Sequence, residues 1–221
     1  MRGIVFTGGE GPRPGLCRRL LAAGDSPGNG RSAGPPVLVA AADSGLEAAE
    51  AAGLRPDWVL GDMDSLGDLS RLDAYPRERV LRYPAEKDYT DTELALRLLR
   101  EKGCGEIWLI GGGGGRLDHL LAVRSLFERD LRPSRWITGA EDVRCVDSPA
   151  EFWWDGFPGA PVSVFPLGAG PWKAESAGLK WPLAGLPWDR GFFGLSNAAE
   201  NGSFRLKAER GRFLVILPLE V

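Results

Sequence analysis

Residues 58–66 read WVLGDMDSL. The apolar residues Trp58-Val59-Leu60 end at Gly61, and two carboxylates follow one residue apart, Asp62 and Asp64, with Ser65 behind them. The apolar run reads as a buried strand. Two like charges at its end repel, so something must offset them. Two readings are open here. Asp64 or Ser65 caps a following helix, or a cation is held between the carboxylates.

Outward from this stretch the pattern repeats. The runs GIVF (3–6), PVLVAAA (36–42), DWVL (57–60), ERVLRYP (78–84) and EIWLI (106–110) each end in polar or glycine punctuation. Helical patterns separate most of them: LCRRLLAAG, SGLEAAEAAG, TDTELALRLLREKG and RLDHLLAVRSLFERD. Strand followed by helix, repeated, predicts an α/β fold with a parallel sheet wrapped by helices. Thr90 with Glu93 forms a capping box at the start of the third helix. Leu94, Leu98 and Leu99 give that helix one apolar face, and Gly103 suits its end.

After about residue 140 helical periodicity vanishes and Pro, Gly and Trp become dense. Phe204, Leu206 and Ala208 alternate onto one face, ERGR reads as a turn, and FLVILPL follows, which predicts a hairpin in an antiparallel β unit. So small a unit leans on a partner surface. Residues 24–36, GDSPGNGRSAGPP, read as a surface loop.

Composition removes several functions. The 221 residues include 27 basic and 30 acidic side chains, a net charge of -3, which argues against a nucleic-acid binder that works by phosphate neutralisation. Cys17, Cys104 and Cys145 form no C-x-x-C pair, so neither a disulfide framework nor a zinc site is indicated, and a reducing cytoplasm fits. The opening apolar run is too short for a signal peptide. No run approaches the ~20 apolar residues needed to span a bilayer.

Acidic residues follow the strands: Asp43 after the second, Asp62 and Asp64 after the third, Asp88 and Asp91 after the fourth, Asp118 after the fifth. In a parallel sheet those ends share one edge, where ligands of open α/β sheets bind. The run Gly111–Gly115 reads either as a flexible loop or as a cradle whose backbone N–H groups approach a phosphate near a helix N-terminus, and Arg116 behind it either forks a phosphate or is a solvated helix residue. Carboxylates beside a phosphate cradle suit a polyphosphate bridged to Mg²⁺. They predict a nucleotide-dependent phosphoryl or diphosphoryl transferase, chemistry that depends on positioning and charge neutralisation. The lone His119 reads as a polar neighbour of Asp118.

The segments AADSG, PDWVLGDMDSL, KDYTDTELAL and GGGGGRLDHLL occur in the order seen in thiamine pyrophosphokinases (thiamine diphosphokinases), and GLKWPL and GLSN resemble that family's second domain. The resemblance runs from about 37 to 200. It implies an α/β nucleotide- and metal-binding domain over 1–143, then a thiamine-binding β-sandwich over 144–221, usually as a homodimer. It implies transfer of diphosphate from ATP to the thiamine hydroxyl, with release of AMP. It places Asp62, Asp64, Asp91 and Asp118 as catalytic and magnesium groups. Asp43, Asp88, Thr90, Gly112, Gly115 and Arg116 would serve ATP, and Trp181, Ser196 and Asn197 thiamine. An indole can stack on thiamine's pyrimidine and attract its thiazolium. The sequence departs from the family pattern at Met63 and at Glu175-Ser176-Ala177. Two competing readings are a diphosphokinase for another alcohol, such as a hydroxymethylpterin, and a non-enzymatic nucleotide sensor. The aromatic surplus Trp153, Trp154, Phe192 and Phe193 suggests a subunit contact.

Overall fold

The computed structural model describes residues 1–23, 36–189 and 191–219; the loop expected over 24–36 lies almost wholly outside them. Its first half winds β1 (Arg2–Phe6), α1 (Pro14–Ala23), β2 (Val37–Ala42), α2 (Gly45–Ala51), β3 (Trp58–Gly61), β4 (Val80–Arg82), α3 (Asp91–Glu101), β5 (Glu106–Ile110), α4 (Leu117–Leu126) and β6 (Arg135–Ile137). The six strands are parallel, in the order β4-β3-β2-β1-β5-β6. The chain travels outward from β1 to β4 and then restarts on the other side of β1 with β5. That reversal opens a crevice between the C-terminal ends of β1 and β5.

Both faces of this sheet are covered, so its strands read as near-continuous apolar runs. Ile4, Phe6, Trp108 and Ile110 pack with Cys17 of α1 and Ala49 of α2. On the other face Val5, Leu60 and Leu109 pack with Leu96 and Leu99 of α3 and Leu126 of α4. Trp108, Phe6 and Leu99 are fully buried, each contributing roughly 1.5–3 kcal/mol. The expected capping box is present: Thr90 Oγ1 accepts from Glu93 N–H and Glu93 accepts from Thr90 N–H. Leu99 is buried as expected, with Leu94 and Leu98 at the margin of the same cluster. α2 can begin only with glycine, because a Cβ on Gly45 would collide with the Phe6 carbonyl.

The second half contributes β7 (Glu141–Asp147), β8 (Ala150–Asp155), β9 (Ala160–Leu167), β10 (Lys173–Ala177), β11 (Gly194–Ala199), β12 (Ser203–Arg210) and β13 (Arg212–Pro218). β7 joins β6 antiparallel, and β13, β9 and β11 extend the same sheet to ten strands, β11-β9-β13-β7-β6-β5-β1-β2-β3-β4. A three-stranded sheet, β10-β12-β8, packs on this extension through Phe204, Leu206 and Ala208 against Val162, Phe213 and Val215. The fold is thus mixed α/β: a mostly parallel sheet continued by antiparallel strands, with a second antiparallel sheet. The division expected between 143 and 144 falls inside β7, which is hydrogen-bonded to β6 on one side and β13 on the other.

One expectation is corrected. β12 and β13 are not a hairpin. β12 pairs with β10 and β8, while β13 pairs with β7 and β9. Gly211, at φ 80°, turns the chain from one sheet to the other. β12 alternates apolar and polar residues, whereas β13 is apolar throughout Phe213–Leu217. Phe213, Val215 and Leu217 join the core shared with the second sheet and Leu214 and Ile216 pack with the core of the parallel sheet, so β13 is buried on both faces inside the long sheet. Among the described residues no helix is long and apolar enough to cross a membrane.

Candidate active site

Asp43, Asp62 and Asp64 converge past the ends of β2 and β3. Each offers a carboxylate oxygen, and these oxygens lie within 4.8 Å of one another. Octahedral Mg²⁺ at ~2.1 Å from its ligands sets their oxygens roughly 3.0–4.2 Å apart. Three hard oxygen donors at this spacing could hold it with little contraction. The acids are presented by strained backbone: Asp43 and Met63 have φ values of 47° and 66°. Met63 is buried and its N–H donates to Asp43 Oδ1 at 3.1 Å, so it locks the two loops together. Gly61 is required by the same contact, because a Cβ there would strike the Asp43 carboxylate.

The helix-cap reading of the pair is not what forms. A short 3₁₀ helix begins at Leu69 and is capped by Asp68, whose side chain accepts from Ser70 N–H. Asp62 instead accepts from Asp64 N–H at 3.2 Å. That bond, with Lys87 beside it, holds the Asp62 carboxyl below the usual range. The neighbouring Asp62 pushes Asp64 up. Burial pushes Asp43 up to about 7, with the Asp91 and Asp62 charges adding to it and the Met63 N–H opposing.

Asp91 opens α3 close to this group. Lys87 Nζ lies 3.1 Å from Asp91 Oδ1 and donates to Asp62 Oδ2 at 3.4 Å. Thr7, from the loop after β1, is joined to Thr92 of α3 by a 2.7 Å hydroxyl bond. Asp88 is exposed in the preceding loop, and Thr90 is engaged as the helix cap.

Asp118 is not in the group formed by Asp43, Asp62 and Asp64. It lies in the first turn of α4, is largely exposed, and pairs with Arg116 through contacts of 3.1 and 2.5 Å. The Arg116 guanidinium holds its carboxyl below the usual range. His119 is exposed beside it.

The glycine run divides in two. The N–H groups of Gly111, Gly112 and Gly113 donate to Ile137, Gly8 and Glu10 carbonyls. Gly112 thus joins the β5 loop to the β1 loop. Among the described residues, the N–H groups of Gly114 and Gly115 take no such partner. Both have positive φ, and with the α4 N-terminus they are the part able to meet a phosphate.

At the far end of the long sheet, Trp181 is 55% exposed. Lys180 Nζ sits 4.6 Å from its ring centroid. Asn197 on β11 is buried, and its side chain grips the Trp181 backbone: Oδ1 accepts from Trp181 N–H at 3.1 Å and Nδ2 donates to the Trp181 carbonyl at 2.6 Å. Ser196 beside it is exposed, at φ 54°. β11 and β3 are the first and ninth strands of the ten. Eight steps of ~4.8 Å separate the Trp181 group from Asp62 by roughly 38 Å along the sheet.

Sequence reasoning missed Lys87 and the Thr7–Glu10 loop. Lys87 lies four residues before Asp91, inside a stretch already singled out. The TGGE loop follows the central strand, but its importance depends on the strand order.

Residues 36–134 match the family model of the thiamin pyrophosphokinase catalytic domain. A thiamine pyrophosphokinase of Bacillus subtilis (strain 168) is 39% identical over 84 residues, which span 37% of this chain and 38% of that relative. Two crystal structures share the fold across the whole chain. A thiamine pyrophosphokinase from Bacillus subtilis has a TM-score of 0.76 at 22% identity, covering 100% of both chains. A thiamin pyrophosphokinase from Geobacillus thermodenitrificans has a TM-score of 0.72 at 24% identity, covering 100% of this chain and 98% of that one.

Proposed function

We propose that this chain, whose residues 36–134 match the model of the thiamin pyrophosphokinase catalytic domain, is a member of that family and transfers the diphosphate of ATP to the hydroxyl of thiamine, giving thiamine diphosphate and AMP. The observation that carries the reading is the convergence of Asp43, Asp62 and Asp64, with Asp91 linked to them through Lys87. The hydroxyl oxygen bonds the β-phosphorus, and the bond from that phosphorus to the oxygen bridging to the α-phosphorus breaks. AMP leaves with the electron pair, and the hydroxyl proton is released. A bound Mg²⁺ would neutralise charge on the transferring group. Asp43, Asp62, Asp64 and Asp91 would hold it. Gly114, Gly115 and Arg116 would orient the phosphates, with Asp118 fixing the Arg116 fork, and Trp181 would stack on thiamine.

We further propose that two chains complete each site. Reacting atoms must approach to ~3–3.5 Å, and the eight strand steps between β3 and β11 argue for a second chain supplying the thiamine half. Exposed apolar residues lie at both ends: Leu117 and Leu121 one turn apart on α4, and Trp181, Phe192 and Leu195 near β11. A two-fold dimer pairs the α4 end of each chain with the β11 end of the other. Residues 1–143 would then supply the nucleotide half and 144–221 of the partner the thiamine half. The free thiols Cys17, Cys104 and Cys145 suit a cytoplasmic setting.

The test is AMP release from Mg-ATP with thiamine, a hydroxymethylpterin or no acceptor. Thiamine-dependent AMP is expected. Pterin-dependent AMP would move the acceptor, and AMP with neither would remove the transferase reading.

A further inference from the structure

The question raised by Asp62 and Asp64 has an answer within the chain itself. The Lys87 side chain is only 13% exposed, and its ammonium bridges Asp62 and Asp91, whose side chains are 18% and 14% exposed. Among the described residues no other basic side chain pairs with either acid. Asp62 is in turn within reach of Asp43 and Asp64. One ammonium therefore sits at the junction of four carboxylates delivered by three separate loops. Lysine suits a place that must be vacated: it is a compact charge with three rotatable donors on a flexible four-carbon stem.

We propose that Lys87 is the resident counter-ion of the metal site: it gathers Asp62 and Asp91 when no metal is bound, and a divalent cation competes with it for those oxygens and drives its ammonium onto the triphosphate. This inference rests on the assignment of these acids to Mg²⁺. The argument is electrostatic. A dication and an ammonium drawn to the same Asp62 carboxylate repel each other strongly in a partly dry cleft. Where the metal takes the oxygens that Lys87 now holds, Asp62 Oδ2 and Asp91 Oδ1, the ammonium loses those bonds. A polyphosphate carried by that metal would be the anion next to the displaced ammonium. Lys87 would therefore oppose metal binding without nucleotide and favour nucleotide once metal is present, making the two bind in concert.

The experiment measures Mn²⁺ affinity of the full chain, by titration calorimetry and by loss of the free-ion paramagnetic resonance signal, with no nucleotide present. Lys87→Gln should bind Mn²⁺ on the order of tenfold more tightly than wild type, while its KM for ATP rises on the order of tenfold. Lys87→Arg keeps the charge and should stay near wild type for Mn²⁺. Asp62→Asn serves as the reference and should lose most of the affinity. Near-ultraviolet circular dichroism checks that each variant is folded. If Lys87→Gln binds Mn²⁺ no more tightly than wild type while Asp62→Asn loses it, the counter-ion role is wrong and the metal site stands. If Asp62→Asn also binds normally, the metal assignment itself fails, and the Lys87 role with it.

Discussion

The proposal of a site shared between two chains makes a quantitative prediction. Asp64→Asn removes one charge from the acidic cluster, and Trp181→Ala removes the indole at the other end of the sheet. The two positions are separated by eight strand steps, roughly 38 Å, so neither mutation disturbs the other's surroundings. Loss of one strong electrostatic contact should leave Asp64→Asn at about 1% of wild-type turnover. Loss of stacking and cation–π attraction should weaken thiamine binding by about 1–3 kcal/mol. Assayed at thiamine well below KM, Trp181→Ala should therefore retain no more than about a fifth of wild-type rate, and far less at the upper end. The two proteins are mixed, unfolded and refolded together. Random pairing makes about half the dimers mixed. Each mixed dimer has one site built from the intact acids of one chain and the intact indole of the other, and one site damaged in both halves. About a quarter of wild-type activity should come from these sites, above the mean of the separately refolded mutants. Differentially tagged chains let affinity capture isolate the mixed dimers, whose rate should approach half of wild type. Mixed dimers no more active than that mean would refute the argument and put both halves of the site in one chain.

Three further outcomes are expected. Gly61→Ala places a methyl against Asp43 and imposes a side chain on a φ of 142°; a stability loss of about 1–3 kcal/mol in urea unfolding should accompany loss of Mn²⁺ affinity, and retention of both would mean the loop relaxes freely. In metal-free protein the folded Asp43 keeps its proton up to about pH 7, while the unfolded one loses it near 3.8; stability should therefore be highest below pH 4 with respect to this group and fall on the order of 2 kcal/mol by pH 8, after discounting for partial exposure, and Asp43→Asn should flatten that slope in denaturant titrations. Asn197→Ala removes both bonds to the Trp181 backbone; it should cost about 2 kcal/mol of stability and raise KM for thiamine with KM for ATP unchanged, whereas an unchanged thiamine KM would show that Trp181 does not depend on its anchor.

Some of this protein is written locally. The runs that became β1, β2, β3 and β5, the capping box of α3 and the loops that carry Asp43, Asp62 and Asp91 could be read directly, because strand burial, helix capping and turn chemistry depend on residues within a few positions of one another. The convergence of three acids also followed from sequence, since all successive parallel strands end on one edge. Other features depended on which strands become neighbours, and that is settled by burial of whole faces. Phe204 and Phe213 flank Gly211 in what reads locally as one hairpin, yet they lie in opposite sheets. Asn197 reads as a ligand donor, and the fold turns its amide onto Trp181. Lys87 stands four residues before Asp91, which the sequence shows, but its second carboxylate, Asp62, comes from 25 residues away and is brought to it by the fold. Long-range pairing of this kind is decided by the free energy of the packed whole, and it set the acids and the indole at opposite ends of one continuous sheet.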